Sequence, residues 1–171
     1  MISNFPASLA LVLKAEGKFN NDARDPGGMT MLGVTKLNWE TWVKRSVDEA
    51  EMRSLTPELV APMYKAQYWD ACKCDSLPLG IDYAVFDFAV NAGVSRAAKT
   101  LQKALGVTAD GVIGRATIAA ANAADPLELL ESFSLSKEEF YKSLTTFATF
   151  GRGWLNRMAH VRQNAESMLG V

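Results

Sequence analysis

The chain has 171 residues, of which 49 % are hydrophobic, and carries 18 basic and 19 acidic side chains for a net charge of −1. That size suits one domain, or one domain with two lobes, and the apolar share is enough for a sizeable core. The near-neutral charge argues against bulk electrostatic binding to nucleic acid or to an anionic membrane, and no apolar run approaches the length needed to cross a bilayer.

Pro6 fits the first turn of a helix whose apolar stripe is Phe5, Leu9, Val12 and Leu13. Glu16 falls on the core side of that stripe, nearly in line with Leu9, and Gly17 follows as a helix stop. A carboxylate at a helix C-terminus also opposes the helix dipole. A residue that breaks two local rules is a candidate for function. Partial burial favours the protonated carboxyl, which is what a general acid needs. Residues 18–35 then break the helical pattern: a polar stretch from Asn20 to Gly28 and the Met31-Leu32-Gly33-Val34 segment predict a small hairpin.

Thr35 is placed to cap a second helix, with Trp39, Trp42, Val43 and Val47 at helical spacing. Ser46 and Glu49 have capping-box spacing for a short third helix. Thr56-Pro57 opens a fourth, with Val60, Met63, Tyr64 and Gln67 on one side. Pro78 and Gly80 interrupt the chain. The next helix carries Ile81, Ala84, Val85, Phe88 and Ala89 and is apolar on so many sides that it belongs at the centre of a core. Gly93 ends it, Ser95 caps a sixth helix, and Gly106 stops that one after Leu105. Asp125-Pro126, with Glu128 at capping-box spacing, opens a further helix. Gly151 and Gly153 punctuate the chain before a last helix with Trp154, Met158, Val161 and Ala165 in register. The expected fold is all-α: mainly helical, with one small hairpin after the first helix. A soft boundary near Pro78 to Gly80 suggests a lobe over 1–80 holding Glu16 and the hairpin, and a helical lobe over 81–171. The two are expected to form one cooperative unit with a groove between them.

The two cysteines, Cys72 and Cys74, are too close in sequence to staple distant parts of the fold. With His160 as the sole histidine there is no zinc-ligand pattern, and the pair reads as free thiols of a reducing compartment. The N-terminus has no basic stretch followed by a long apolar run, so no signal peptide is expected.

A carboxylate at a helix end, followed by a polar hairpin with Asp22, Asp25 and Thr30, suits glycosidic bond cleavage. One carboxyl protonates the leaving oxygen, and a second carboxylate, or a water held by Asp or Thr, serves the other face of the sugar. This layout resembles that of phage muralytic enzymes, where a Glu is followed at fixed intervals by Asp and Thr. Eight residues separate Glu16 from Asp25 and four separate Asp25 from Thr30, the second interval being one shorter than in phage lysozymes.

A closer resemblance runs along nearly the whole chain. It rests on Glu16-Gly17-Lys18-Phe19, Asn21-Asp22, Asp25-Pro26-Gly27-Gly28, Thr30 and Gly33-Val34-Thr35. It continues through Tyr68-Trp69, Leu77-Pro78, the Asp82 to Gly93 segment with Asp87 and Asn91, and Gly151-Arg152-Gly153-Trp154-Leu155-Asn156-Arg157. These motifs, in this order, resemble glycoside hydrolase family 108, the N-acetylmuramidases. Lys18 and Phe19 stand where that family usually has Gly-Tyr, and Met31 where it usually has Asn. The resemblance implies a lysozyme-like fold, cleavage of the β-1,4 bond after N-acetylmuramic acid in peptidoglycan, and a phage or prophage endolysin or a related secretion-assisting muramidase. It makes Glu16 the catalytic acid. Spacing favours Asp25 over Asp22 as the second group, with Thr30 as the third catalytic candidate. Asp22, Gln67, Tyr68, Asp87, Asn91, Trp154 and Arg157 are the candidates for holding substrate, with Asp87, Asn91 or Trp154 facing Glu16 across the groove.

The Leu101 to Gly114 segment also resembles the short signature of peptidoglycan-binding modules, with Arg115 in place of a usual proline. The expected partner is the peptidoglycan glycan strand, and no metal or other cofactor is called for. The protein is expected to be a monomer made in the cytoplasm of a bacterium. It would act in the periplasm after release by a holin or a secretion system, without inserting stably in a membrane. The competing reading is a non-catalytic peptidoglycan-binding or virion structural protein with the same fold; an intact Glu16 favours the enzyme.

Overall fold

The computed structural model describes residues 3–21 and 28–171. Among them the chain is helical apart from one two-stranded hairpin. The order is α1 (Phe5–Glu16), β1 (Thr30–Met31), β2 (Val34–Thr35), α2 (Lys36–Val43), α3 (Glu49–Arg53) and α4 (Pro57–Tyr64), then α5 (Ile81–Ala92), α6 (Val94–Ala104), α7 (Arg115–Ala123), α8 (Pro126–Ser143) and α9 (Phe147–Leu169). A π-helical turn, Lys65–Trp69, extends α4, and a 3-10 turn, Cys74–Ser76, precedes α5. The chain divides into two compact units. One is Pro6–Gln67; the other takes Tyr68–Val171 together with the N-terminal residues up to Phe5.

The division falls earlier than the expected boundary at 80. Residues 68–80 supply core to the second unit: Trp69, Cys72, Cys74 and Leu77 are all buried. The Trp69 ring meets Phe5 edge-on at 5.5 Å and Phe86 at 5.4 Å, so the start of this segment is tied to α5 and to the first residue of α1 through aromatic contacts. Pro78 and Gly80 therefore mark a corner inside a unit. Gly80 is held there by its backbone: at φ +83 a side chain is strained, and a Cβ would lie 2.8 Å from the Ala165 carbonyl oxygen.

In the first unit, Thr35 caps α2 as expected, its hydroxyl accepting from the Asn38 N–H at 3.2 Å. The cap of α3 differs from expectation. Asp48, not Ser46, accepts from the Glu51 N–H at 2.8 Å, because α3 starts three residues after Ser46. Thr56 caps α4 and Pro57 takes its first position. Gln67 does not continue the α4 face, since the helix widens to π geometry after Tyr64.

In the second unit, α5 is the centre. Every residue from Ile81 to Ala89 is buried, and α6, α8, α9 and the 3-10 turn pack on it. α6 begins at Val94 directly after Gly93, without the Ser95 cap expected from the sequence. Asp125 caps α8 and accepts from the N–H groups of Leu127 and Glu128 at 2.9 and 3.0 Å. α9 starts at Phe147 and runs through Gly151 and Gly153, which were expected to precede it. Gly151 is buried under the Phe147 ring, where a Cβ would lie 2.5 Å from a ring carbon. Glycine costs a helix only about 1 kcal/mol relative to alanine, so this contact overrides propensity.

Burial of α5 also sets a pH response. Tyr83 is 2 % exposed, and burial first, then the nearby Asp87 charge, pushes its phenol up from 10.0 to about 12. The unfolded chain releases that proton at about pH 10 while the folded one keeps it to about 12. Stability from this group is thus complete below pH 10 and is lost as pH climbs through that window. Chemical denaturation across the window should show a falling midpoint, and Tyr83→Phe should flatten the slope.

Candidate active site

α1 buries Leu9, Val12 and Leu13, while its last residue, Glu16, is half-buried. Gly17, at φ +84, ends the helix. The chain returns through Asn20 and Thr30, whose backbones exchange hydrogen bonds of 2.9 and 2.8 Å. That bridge sets Asn20 beside Thr30 at the start of the hairpin. Thr30 pairs with Thr35 and Met31 with Val34, leaving a two-residue turn, Leu32-Gly33.

Both turn residues are left-handed, Leu32 at φ 52 and Gly33 at φ 75, as the right-handed strand twist of such hairpins requires. Gly33 has a second reason to be glycine. A Cβ there would lie 2.8 Å from Glu16 Cγ, 2.9 Å from Glu16 Cβ and 2.7 Å from Tyr64 Oη. The bare backbone of the turn thus rests on the stem of Glu16. Leu32 has no such excuse: a left-handed L-residue costs roughly 1–2 kcal/mol. Its carbonyl accepts a 2.8 Å hydrogen bond from the Tyr64 hydroxyl, on a ring only 1 % exposed. A bond of this kind contributes about 0.5–1.5 kcal/mol net, enough to offset most of the strain. Phe19, on the loop beyond Glu16, lies under the Arg53 guanidinium at 3.8 Å, and Glu49 holds that arginine through a 2.8 Å bond.

Asp22 and Asp25 lie outside the described residues. Gln67 and Tyr68 sit half-buried in the π-helical turn. The candidates from α5 and α9 turn out to be engaged with one another inside the second unit. Asp87 is 1 % exposed; Arg157 donates to one of its carboxylate oxygens through Nε at 3.0 Å and Nη2 at 2.8 Å, and Lys137 to the other at 3.2 Å. Asp87 and Arg157, expected as sugar contacts, are thus joined with Lys137 in one ion-paired cluster around the buried carboxylate, where an unpaired charge is prohibitive. Trp154 is half-buried and stacks on Tyr141 at 5.1 Å, so its ring packs within the unit. Asn91 remains at the surface, accepting from the Tyr141 hydroxyl at 3.0 Å.

The Leu101 to Gly114 signature has an internal explanation. Gln102 is 1 % exposed. Its amide nitrogen donates to Asp110, the Val112 carbonyl and Thr117 at 2.7, 3.0 and 3.2 Å, and its oxygen accepts from the Gly111 N–H at 2.9 Å. One buried amide thereby shapes the whole turn from 110 to 112 and fixes it to the start of α7. The sequence marks Gly33 as part of a hairpin but not its contact with the Glu16 stem, and it points to no role for the buried side chains of Gln102 and Lys137. A Leu-Gly pair between two short β-prone segments was the available signal for Gly33; a lone lysine on an amphipathic helix carries none.

The scaffold is that of a mainly helical, lysozyme-like glycoside hydrolase. The family model described as Glycosyl hydrolase 108 matches residues 9–93, which takes in Glu16 and the hairpin. A second, described as Predicted Peptidoglycan domain, matches residues 96–159, which takes in the Gln102 turn. Among solved structures, the chain is similar to that of Brucella abortus SagA, with 36 % identity, 96 % of this chain and 95 % of that chain covered, and a TM-score of 0.86. No curated protein matches the chain. The chain belongs to glycosyl hydrolase family 108.

Proposed function

We propose that this protein is an N-acetylmuramidase that hydrolyses the β-1,4 bond between N-acetylmuramic acid and N-acetylglucosamine. The observation that carries the proposal is Glu16: a half-buried carboxyl at the end of α1, its stem against the Gly33 backbone, inside the segment matched by the glycosyl hydrolase family. In the proposed reaction Glu16 gives its proton to the glycosidic oxygen as the bond from the anomeric carbon breaks. Water adds to that carbon and loses a proton to the second carboxylate; that carboxyl then releases its proton to solvent and Glu16 takes one up, which resets both groups for the next turnover. Asp25 is the proposed second carboxylate on spacing, with Asp22 the alternative. Thr30, fixed at the base of the hairpin by the Asn20 bridge, is the proposed polar contact for water or sugar.

The proposal extends to role. A phage or prophage endolysin would be made inside the cell and reach peptidoglycan through a holin-like pore or a secretion system. No helix among the described residues is long and apolar enough to cross a membrane. Digestion of purified sacculi followed by mass spectrometry of the fragments names the bond cut. Fragments with N-acetylmuramic acid at the new reducing end are expected. Fragments ending in N-acetylglucosamine would make the protein a glucosaminidase, and intact strands that bind the protein would favour the non-catalytic reading.

A further inference from the structure

We propose that Tyr64 is a positioning residue for Glu16, acting through the Leu32-Gly33 turn. The inference rests on the reading of Glu16 as the catalytic acid. Glu16 is the last residue of α1, and the backbone of Gly33 lies against its Cβ and Cγ. The place of Gly33 depends in turn on Leu32 keeping a left-handed conformation that an L-residue leaves readily. The Tyr64 hydroxyl bonds the carbonyl of that same residue at 2.8 Å, across 32 positions of sequence.

Tyr64 is itself well anchored. Its ring is 1 % exposed, and it closes α4 just where the helix widens into the π turn Lys65–Trp69. A π turn displaces the residues around it from the regular helical face, and such turns concentrate near functional sites. The buried phenol, the strained turn and the carboxylate stem meet at one point, around the position a Gly33 Cβ would need and cannot have. A site loose by an ångström loses most of its rate, so a tether of this kind acts on turnover rather than on binding.

The test compares wild type, Tyr64→Phe and Glu16→Gln on solubilised glycan strands, with kcat, KM and the pH profile of kcat measured for each. Tyr64→Phe keeps the core-filling ring and removes only the hydroxyl. It should lower kcat by about 10-fold or more, change KM by less than about 2-fold, and shift the pH profile as the acid loses its fixed surroundings. Adding Leu32→Gly, which takes the left-handed conformation without strain, should restore part of the lost kcat. Wild-type kcat and pH profile in Tyr64→Phe beside an inactive Glu16→Gln would overturn the positioning role alone. A raised KM with unchanged kcat would overturn it too, placing the tyrosine in substrate binding. A fully active Glu16→Gln would instead sink the reading of Glu16. If Tyr64→Phe fails to fold, Gly33→Ala carries the test. Its Cβ would press on both the Tyr64 hydroxyl and the Glu16 stem, so lost turnover with sacculus binding retained supports the role of that contact, and wild-type turnover overturns it.

Discussion

Glu16→Gln should leave the protein folded and reduce lysis of peptidoglycan by on the order of 10²–10⁴-fold, the usual contribution of a positioned general acid. Glutamine keeps the Cβ and Cγ that touch the Gly33 backbone, so the hairpin turn and its Tyr64 bond have no reason to move. It cannot deliver a proton. The expected result is an unchanged thermal midpoint beside a flat turbidity trace on permeabilised cells. A folded Gln variant that clears cells at a near-normal rate would remove Glu16 from the chemistry.

The second large effect is on stability. Asp87→Asn should destabilise the protein by about 3–5 kcal/mol at neutral pH, since it strips the counter-charge from two cations at once. Lys137 has a side chain only 3 % exposed and Arg157 one 17 % exposed. Burial pulls the Lys137 ammonium below its usual value, with Asp87 acting in the opposite sense. The Phe88 ring, 4.8 Å from the ammonium, remains in the variant but is no substitute for a carboxylate.

Urea denaturation measures the loss directly, and its pH dependence checks the cause. In the variant, Lys137 should give up its proton in the folded state well before the unfolded chain does. Stability then rises with pH from that lowered value towards 10.5, and the deficit shrinks. A double change of Asp87 and Lys137 to apolar residues of similar volume should recover much of the loss. A deficit below about 1 kcal/mol would mean that the three charges behave as a surface pair does.

The local rules were legible where one segment satisfies itself. Thr35 and Asp125 cap the helices they were expected to cap. α5 is buried along its length, as its apolar sequence implied, because no orientation of such a helix leaves it a wet face. The rules failed where a contact between distant segments outweighs the local signals: residues 68–80 join the second unit because Trp69 packs on Phe5 and Phe86. They failed also at α9, which includes Gly151 and Gly153, with Gly151 under the Phe147 ring one turn earlier on the same helix.

By itself the sequence determined the helical class, the small hairpin, the family, and Glu16 as the residue out of place on its helix. Each rests on a short-range pattern: helical periodicity, a helix stop, a run of turn formers, or motifs in a known order. Only the tertiary structure decided which side chains serve the interior. Asp87 and Arg157 have the polar character of sugar ligands and the spacing of their helices allows it, yet the Asp87 carboxylate pairs with Arg157 through one oxygen and, through the other, with Lys137 from a third helix. Tyr64 reads in the sequence as one more residue on the apolar side of its helix, and its hydroxyl instead bonds a turn 32 residues away. Long-range pairing of charges and hydroxyls leaves no periodic trace in a single chain, because either partner alone satisfies every local rule.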